Sequence, residues 1–165
     1  MKIALRIFLT LLFSMTLFLC LSSVAFAYNV DSGHWGDLEW TLDNEGVLNI
    51  SGTGKMDDFE FNSSEAWRSR PISIKKVIID KGITTIGKFS FENCIDLTEV
   101  SIPESIQLIG GASFYGCSSL VDLTIPEGVT NIGSDAFENC SRLTCVQIPA
   151  SVIVIGLLFL VIVIV

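Results

Sequence analysis

Few residues of this 165-residue chain could carry out catalysis. The single histidine, His34, lies in a polar turn, and no nearby Ser or Cys shows the signature of a nucleophile. A Ser-His-Asp or Cys-His site would have to use this one imidazole as its general base. A surface histidine is the favoured interpretation, so the sequence predicts a protein that is not an enzyme and needs no cofactor.

Two further motifs match ligand-binding sites only in part. The Gly-Thr-Gly-Lys sequence at 52–55 resembles a phosphate-binding loop, but the full motif needs Gly and Ser or Thr where this chain has Asn49 and Met56. The acidic segment 57–60 could hold Ca²⁺ weakly, but it lacks the spacing of an EF-hand. A solvent-exposed turn is the favoured interpretation, so no metal site is predicted.

The composition restricts the class of protein. The net charge of −8 argues against nucleic acid as a partner, because binding phosphates requires an excess of Lys and Arg. Apolar residues make up 50% of the chain, which excludes disorder. The length allows one domain with a targeting segment.

Residues 1–27 have the features of a secretory signal peptide. Lys2 and Arg6 make its start positive, and the segment 7–21 is mostly apolar. The small residues Ala25 and Ala27 occupy positions −3 and −1 before the expected cleavage site after Ala27. An uncleaved membrane anchor is the alternative. The mature chain is therefore expected to be secreted, in the extracellular space or at the cell surface, where disulfides can form.

Comparison of the chain with itself reveals a repeat of 23 residues, with copies at 77–99, 100–122 and 123–145 and a partial copy at 146–156. Each copy opens with two apolar residues two positions apart, which predicts a short half-buried strand. A second apolar pair follows, then a Gly that predicts a tight bend, and then a small residue before a Phe, which predicts one short helical turn. One copy cannot bury its apolar stripes alone, so the copies must stack as the coils of a solenoid with parallel strands.

Three cysteines recur at one position of the repeat, namely Cys94, Cys117 and Cys140. We interpret this column as buried free thiols that act as small apolar groups and donate weakly to loop carbonyls. A disulfide between stacked cysteines is the alternative, although three residues in one column cannot all pair. Cys145 lies outside the column at an outward strand position, where an intermolecular disulfide could form.

The repeated pattern IPxxVxxIGxxAFxxCxxLxxV, matched best by residues 125–146, resembles the BspA-like leucine-rich repeat family. The resemblance covers about 74–156, and the segment 33–71 is similar to the lead-in that such proteins often carry. It implies a leucine-rich repeat solenoid in a secreted or surface-attached bacterial-type protein. Family members are associated with adhesion to matrix proteins and to other cells.

The residues ahead of the repeats, 28–73, predict a β-rich cap on the first coil. Residues 38–50 alternate apolar with polar residues on both sides of a turn-forming sequence, which predicts a hairpin. The indole rings of Trp35, Trp40 and Trp67 can cover the end of the repeat core. A carbohydrate-binding platform is the alternative role for these rings.

The apolar tail, 157–165, departs from the repeat. Apolar residues replace those that the earlier copies place on the surface, at 92–93 in the first copy, so the tail is neither a fourth copy nor a polar cap. One interpretation is a truncated or frame-shifted end of a longer repeat protein. The others are membrane association through 152–165 and a strand that self-associates with another copy of the chain.

Stacked strands bring their outward side chains into one surface, which is the predicted binding face. Its predicted binding residues are Glu99, Ser101, Asp122, Thr124 and Gln147. We predict a non-catalytic secreted or cell-surface repeat protein that binds an extracellular protein or another cell-surface macromolecule. The alternatives are a truncated N-terminal piece of a larger surface adhesin, or of a secreted enzyme that carries the repeats as its binding module.

Overall fold

The computed structural model describes residues 27–62, 64–69 and 74–157. The predicted signal peptide up to residue 26 and the apolar tail from residue 158 lie outside the described residues. The described part contains ten β-strands and one 3-10 helix. They are β1 (Asn29–Trp35), β2 (Leu38–Asp43), β3 (Val47–Ser51), β4 (Gly54–Lys55), the 3-10 helix (Ala66–Ser69), β5 (Lys76–Ile79), β6 (Ile83–Ile86), β7 (Glu99–Ser101), β8 (Leu108–Ile109), β9 (Asn131–Ile132) and β10 (Val154–Ile155).

The first sheet joins the predicted cap region to the repeats. Its order is β1-β2-β3-β5-β7, in which the first three strands pair antiparallel and the pairs β3–β5 and β5–β7 are parallel. The predicted hairpin is confirmed, since Trp40 of β2 pairs with Ile50 of β3. The sequence analysis does not predict β1, because its residues lack a regular apolar alternation.

The second sheet is formed by short strands that contain residues of the second apolar pair of each repeat, and it is not predicted from the sequence. Its order is β10-β9-β8-β6-β4, with parallel pairing throughout. Thr85 pairs with Leu108, Leu108 with Asn131, and Asn131 with Val154, so each coil advances by 23 residues. Strands of two residues are too short to show a period of two, which is why the sequence pattern does not reveal them.

The third side of each coil consists of consecutive turns, at the position where the sequence predicts one short helical turn. Residues 88–93 form consecutive turns, and Phe89 has a φ of 55°. The N–H of Phe91 donates to the Ser113 carbonyl of the next coil (2.8 Å), and the next coil repeats this bond. Within the turns, the Glu92 N–H donates to the Phe89 carbonyl and the Cys94 N–H to the Phe91 carbonyl, each at 3.2 Å, which is the i→i−3 pattern of a 3-10 turn. Bonds between coils and local bonds therefore stabilise this side together.

The core contains a continuous row of stacked aromatic rings. Trp67, Phe91, Phe114 and Phe137 follow one another with centroids 6.1, 5.2 and 5.5 Å apart, and all four side chains are buried. The indole N–H of Trp67 donates to the Ser90 carbonyl (2.9 Å). A ring enclosed in this way offers no platform to a carbohydrate, which favours the covering role for Trp67.

The cysteine column contains free thiols rather than disulfides. The Cys117 thiol donates to the Phe91 carbonyl and the Cys140 thiol to the Phe114 carbonyl, each at 3.1 Å. The predicted role as buried groups with a weak donor is confirmed for these two residues. Burial raises the pKa of the Cys94 thiol to about 12 and that of Cys140 to about 11, and it raises the pKa of Cys117 well above its ordinary value.

The repeated glycines are required by close contact between coils. A Cβ on Gly110 would lie 2.6 Å from the Lys88 nitrogen and 2.8 Å from the Ile86 oxygen, and similar crowding occurs at Gly133. The Gly110 N–H donates to the Ile86 carbonyl (2.8 Å), which is in the preceding coil. Neither glycine has a positive φ, so glycine is required here by the lack of space for a side chain and not by a left-handed backbone.

One residue of the predicted surface is buried. The sequence analysis places 92–93 in solvent, which is wrong for Glu92, since this residue is only 4% exposed. Its carboxylate pairs with the Arg68 guanidinium from the 3-10 helix and accepts the Asn62 N–H (3.1 Å). Arg68 also lies over the Phe59 ring, 5.6 Å from its centroid. This pairing offsets the cost of burying a charge and joins the segment before the repeats to the first coil.

The partial fourth copy continues the second sheet as far as Gly156. Its strand β10 pairs with β9, and the Gly156 N–H donates to the Ile132 carbonyl (2.8 Å). The first residues of 152–165 are therefore part of the sheet. In the ranges that the structure describes, no helix is long and apolar enough to cross a membrane.

Candidate binding face

The outward side chains of the first sheet and of its continuation form the strand face, defined by Glu99, Ser101, Asp122, Thr124 and Gln147. In β7, Val100 is buried in the core, whereas Glu99 and Ser101 on either side of it are exposed. The other three residues are exposed as well. Alternation along a strand therefore separates a buried apolar side from an exposed polar side in each coil.

The structure brings three of these five residues into one groove. Asp122, Thr124 and Gln147 line a groove of about 660 Å³ between the third and fourth coils. Thr124 and Gln147 also pair in a parallel bridge. Glu99 and Ser101 belong to β7, one coil earlier, and do not line the groove.

Glu99 already has a partner in its own chain. Its carboxylate lies 2.7 Å from the Lys76 ammonium, and both side chains are largely exposed, at 60% and 37%. An exposed pair of this kind contributes at most about 1 kcal/mol. Glu99 therefore remains able to exchange Lys76 for a charged group of a ligand.

The groove also contains residues that the sequence analysis does not select. Glu127 of the third coil lines it, as do Pro149 and Ala150 of the fourth coil. The signal that could have identified Glu127 is its repeat position, because Glu104 follows the Pro of the preceding copy in the same way. The groove is lined by the turn after the strand as well as by the outward strand positions, and the prediction included only the latter.

Cys145 supplies a thiol to the same groove. It is a free and exposed cysteine, in agreement with its predicted outward position. The predicted intermolecular disulfide through Cys145 stays a prediction.

The partial motifs do not assemble a reactive site. His34 is an exposed residue of β1, in register with Glu39. Gly54 belongs to β4, and its N–H donates to the Gly82 carbonyl (2.9 Å), so this group is not available to a phosphate. Among the described residues, no group of three or more His, Cys, Asp or Glu could hold a metal ion. The exposed polar and charged side chains of the strand face can offer hydrogen bonds and charge to a ligand.

Stacked parallel strands, a row of buried Phe side chains and an outward strand face define a leucine-rich repeat protein. The family model for the BspA type leucine rich repeat region matches residues 63–159 with six copies. This range is well over half of the chain, so the chain belongs to that family, and the resemblance found in the sequence is confirmed. The match begins ahead of residue 74, where the sequence analysis starts the repeats.

Solved structures of bacterial leucine-rich repeat proteins are similar to the chain. A leucine-rich repeat protein from Eubacterium ventriosum has 28% identity and a TM-score of 0.58, over 79% of this chain and 39% of that protein. One from Bacteroides ovatus has 36% identity and a TM-score of 0.48, over 50% of this chain and 21% of that protein. A leucine rich cell surface protein from Faecalibacterium prausnitzii has 21% identity and a TM-score of 0.37, over 82% of this chain and 52% of that protein. No curated protein matches the chain.

Proposed function

We propose that the protein is a non-catalytic, secreted or cell-surface repeat protein that binds an extracellular protein or another cell-surface macromolecule. The groove of the strand face is the observation that carries this proposal. There, Asp122, Thr124 and Gln147 are exposed polar side chains on a backbone whose apolar side is buried in the core. An extended face of this kind binds a partner through many modest contacts.

The proposal includes the organisation of the chain. Cleavage removes the signal peptide 1–27, the region 28–73 caps the repeats, and 74–156 form a solenoid of 23-residue coils ahead of the apolar tail. The 23-residue register of the second sheet supports the coil length. The burial of Trp67 against the first coil supports the cap, and the charge and apolar pattern of 1–27 supports secretion.

A second candidate is that the chain acts as one part of a larger surface protein. The chain spans 39% of the length of the Eubacterium ventriosum protein that it resembles, which is the observation that favours this candidate. In this second candidate, the strand face would still bind the partner, whereas attachment or catalysis would belong to other parts of the larger surface protein.

The test places large charged side chains on the strand face. The variant carries Ser101→Arg, Thr124→Arg and Gln147→Arg. The matched control carries Gln107→Arg, Ser119→Arg and Ser134→Arg, which lie on other sides of the coils and make the same change in charge. Lys88 and Arg142 already occupy the repeat positions of Ser134 and Ser119, so these positions accept long basic side chains.

Binding is measured by biolayer interferometry against a panel of purified extracellular matrix proteins and against whole cells. We expect the strand-face variant to bind at least about tenfold more weakly than the control, with equal thermal stability of both variants. The Arg side chains at 124 and 147 fill the groove, and the one at 101 obstructs the strand face one coil earlier. Equal affinity of both variants for every bound partner would refute the assignment of this face.

A further inference from the structure

The charges of the strand face are sorted by coil. The basic residues near this face, Lys75, Lys76 and Lys81, all lie in the segment 75–81, which contains the first-coil strand β5. The equivalent segments of the later coils, at 98–104, 121–127 and 144–150, contain no basic residue. Their charged residues are all acidic, and all are exposed: Glu99, Glu104, Asp122 and Glu127. The part of the face that contains the groove is therefore purely anionic.

The groove lies at the end of two rows of carboxylates, one formed by Glu99 and Asp122 and the other by Glu104 and Glu127. Asp122 and Glu127 line it on the third coil, and Glu99 and Glu104 occupy the same repeat positions on the second coil. In the portion of the chain that the structure covers, no ion pair involves Asp122 or Glu127, whereas Glu99 pairs with Lys76. The carboxylates at the groove thus lack a counter-charge from the described residues.

The dimensions of the groove suit one extended polypeptide. Asp122 and Glu127 are five residues apart, which at about 3.3 Å per residue separates the two rows by at most about 16 Å. An extended chain between the rows can direct Lys or Arg side chains to either one. Thr124 and Gln147, which pair between the rows, carry uncharged groups that can donate to and accept from the backbone of a peptide.

We propose that the groove binds an extended polypeptide segment of a partner protein that carries Lys or Arg side chains, which pair with Asp122 and Glu127. This inference rests on the proposed function and specifies the chemistry of the partner. A free metal ion is the wrong occupant, because the described residues contain no group able to hold one. Charge complementarity of this kind favours fast association that weakens as salt is added.

The test uses the purified protein and a fluorescein-labelled peptide of four Lys-Thr pairs, with the peptide of four Glu-Thr pairs as its counterpart. The test variant is Asp122→Asn with Glu127→Gln. The matched control is Asp96→Asn with Glu45→Gln, which removes the same two charges from exposed turns outside the groove. Fluorescence anisotropy gives the dissociation constants in 20 mM and 500 mM NaCl.

We expect the Lys-Thr peptide to bind the unmodified protein and the control with similar affinity, and the test variant about tenfold more weakly. The difference should disappear in 500 mM NaCl, and the Glu-Thr peptide should not bind. Equal weakening in both variants would show attraction to the net charge alone and would overturn the inference, as would absence of binding to the Lys-Thr peptide.

The same pair of variants separates this inference from the proposed function. If the three Arg substitutions abolish binding to an extracellular protein while Asp122→Asn with Glu127→Gln leaves it intact, the strand face is correct and its cationic partner is wrong. If neither variant affects binding to that protein, the proposed face itself is wrong.

Discussion

Replacement of Glu92 by Gln should destabilise the protein far more than the same replacement at Glu138. The two glutamates occupy the same repeat position, two coils apart, but Glu92 is buried against Arg68 whereas Glu138 is half-buried. The side chains of Glu92 and Arg68 are 0% and 5% exposed. Glu92→Gln keeps the volume and removes the charge, so the guanidinium of Arg68 is left buried without a counter-charge.

The expected loss follows from this burial. Breaking a buried ion pair by removing one partner costs about 3–5 kcal/mol, whereas a change at a surface position usually costs no more than about 0.5 kcal/mol. A loss of this size is a large fraction of the roughly 5–15 kcal/mol that stabilises a typical domain. With an m-value of about 2 kcal/mol/M, the urea midpoint should fall by about 2 M for Glu92→Gln and stay nearly constant for Glu138→Gln.

Urea unfolding followed by tryptophan fluorescence measures this difference, because Trp67 is buried next to Arg68 in the 3-10 helix. The double variant Arg68→Met with Glu92→Leu should recover most of the lost stability, since it removes both charges from the interior. Equal midpoints for Glu92→Gln and Glu138→Gln would refute the reasoning. A double variant no more stable than Glu92→Gln would show that hydrogen bonds to the carboxylate matter more than its charge.

Four further predictions concern the core, the contacts between coils, the thiols and the processing of the chain. Phe114→Ala should cost about 3–5 kcal/mol in urea unfolding, because its ring is fully buried between two others. Gly110→Ala should cost about 1–3 kcal/mol, and Gly111→Ala less, because a Cβ would lie 2.6 Å from the nearest backbone atom at the first site and 3.2 Å at the second. Peptide mapping after alkylation at pH 8 should find Cys145 modified and the buried thiols intact. Because burial raises the pKa of Cys94 to about 12 and that of Cys140 to about 11, the free energy of unfolding should keep its full contribution from these thiols below pH 9.0 and lose it as the pH rises towards these values. The intact mass of the exported protein should correspond to cleavage after Ala27, and a mass that includes residues 1–27 would contradict the signal peptide.

The parts of the fold that the sequence predicts are those in which a distinctive side chain recurs at a fixed interval. Phe91, Phe114 and Phe137 define one row of the core, and the free thiols of Cys117 and Cys140 define another. Such residues pack on their own equivalents in the next coil, so the repeat period alone specifies their neighbours.

The parts that the sequence does not predict depend on contacts outside the repeat. Glu92 is buried because Arg68, which precedes the repeats, reaches its carboxylate. On the Phe side, N–H groups also bond to the next coil, for example from Phe91 to the Ser113 carbonyl, and no local pattern predicts these bonds. Glu127 enters the groove because the turn after a strand follows the strand face, whereas the sequence analysis considers only the strands.

Hydrogen bonds between coils run in opposite directions on two sides of the stack. On the side of the second sheet, N–H groups of a later coil donate to carbonyls of the earlier coil, as from Gly110 to Ile86. On the turn side, N–H groups of an earlier coil donate to the later one, as from Phe91 to Ser113. The dipoles of these two sets of bonds point in opposite directions along the axis of the stack, whereas all the peptide dipoles of an α-helix point the same way and add up to a macrodipole. Each coil added to the stack extends both sets of bonds together.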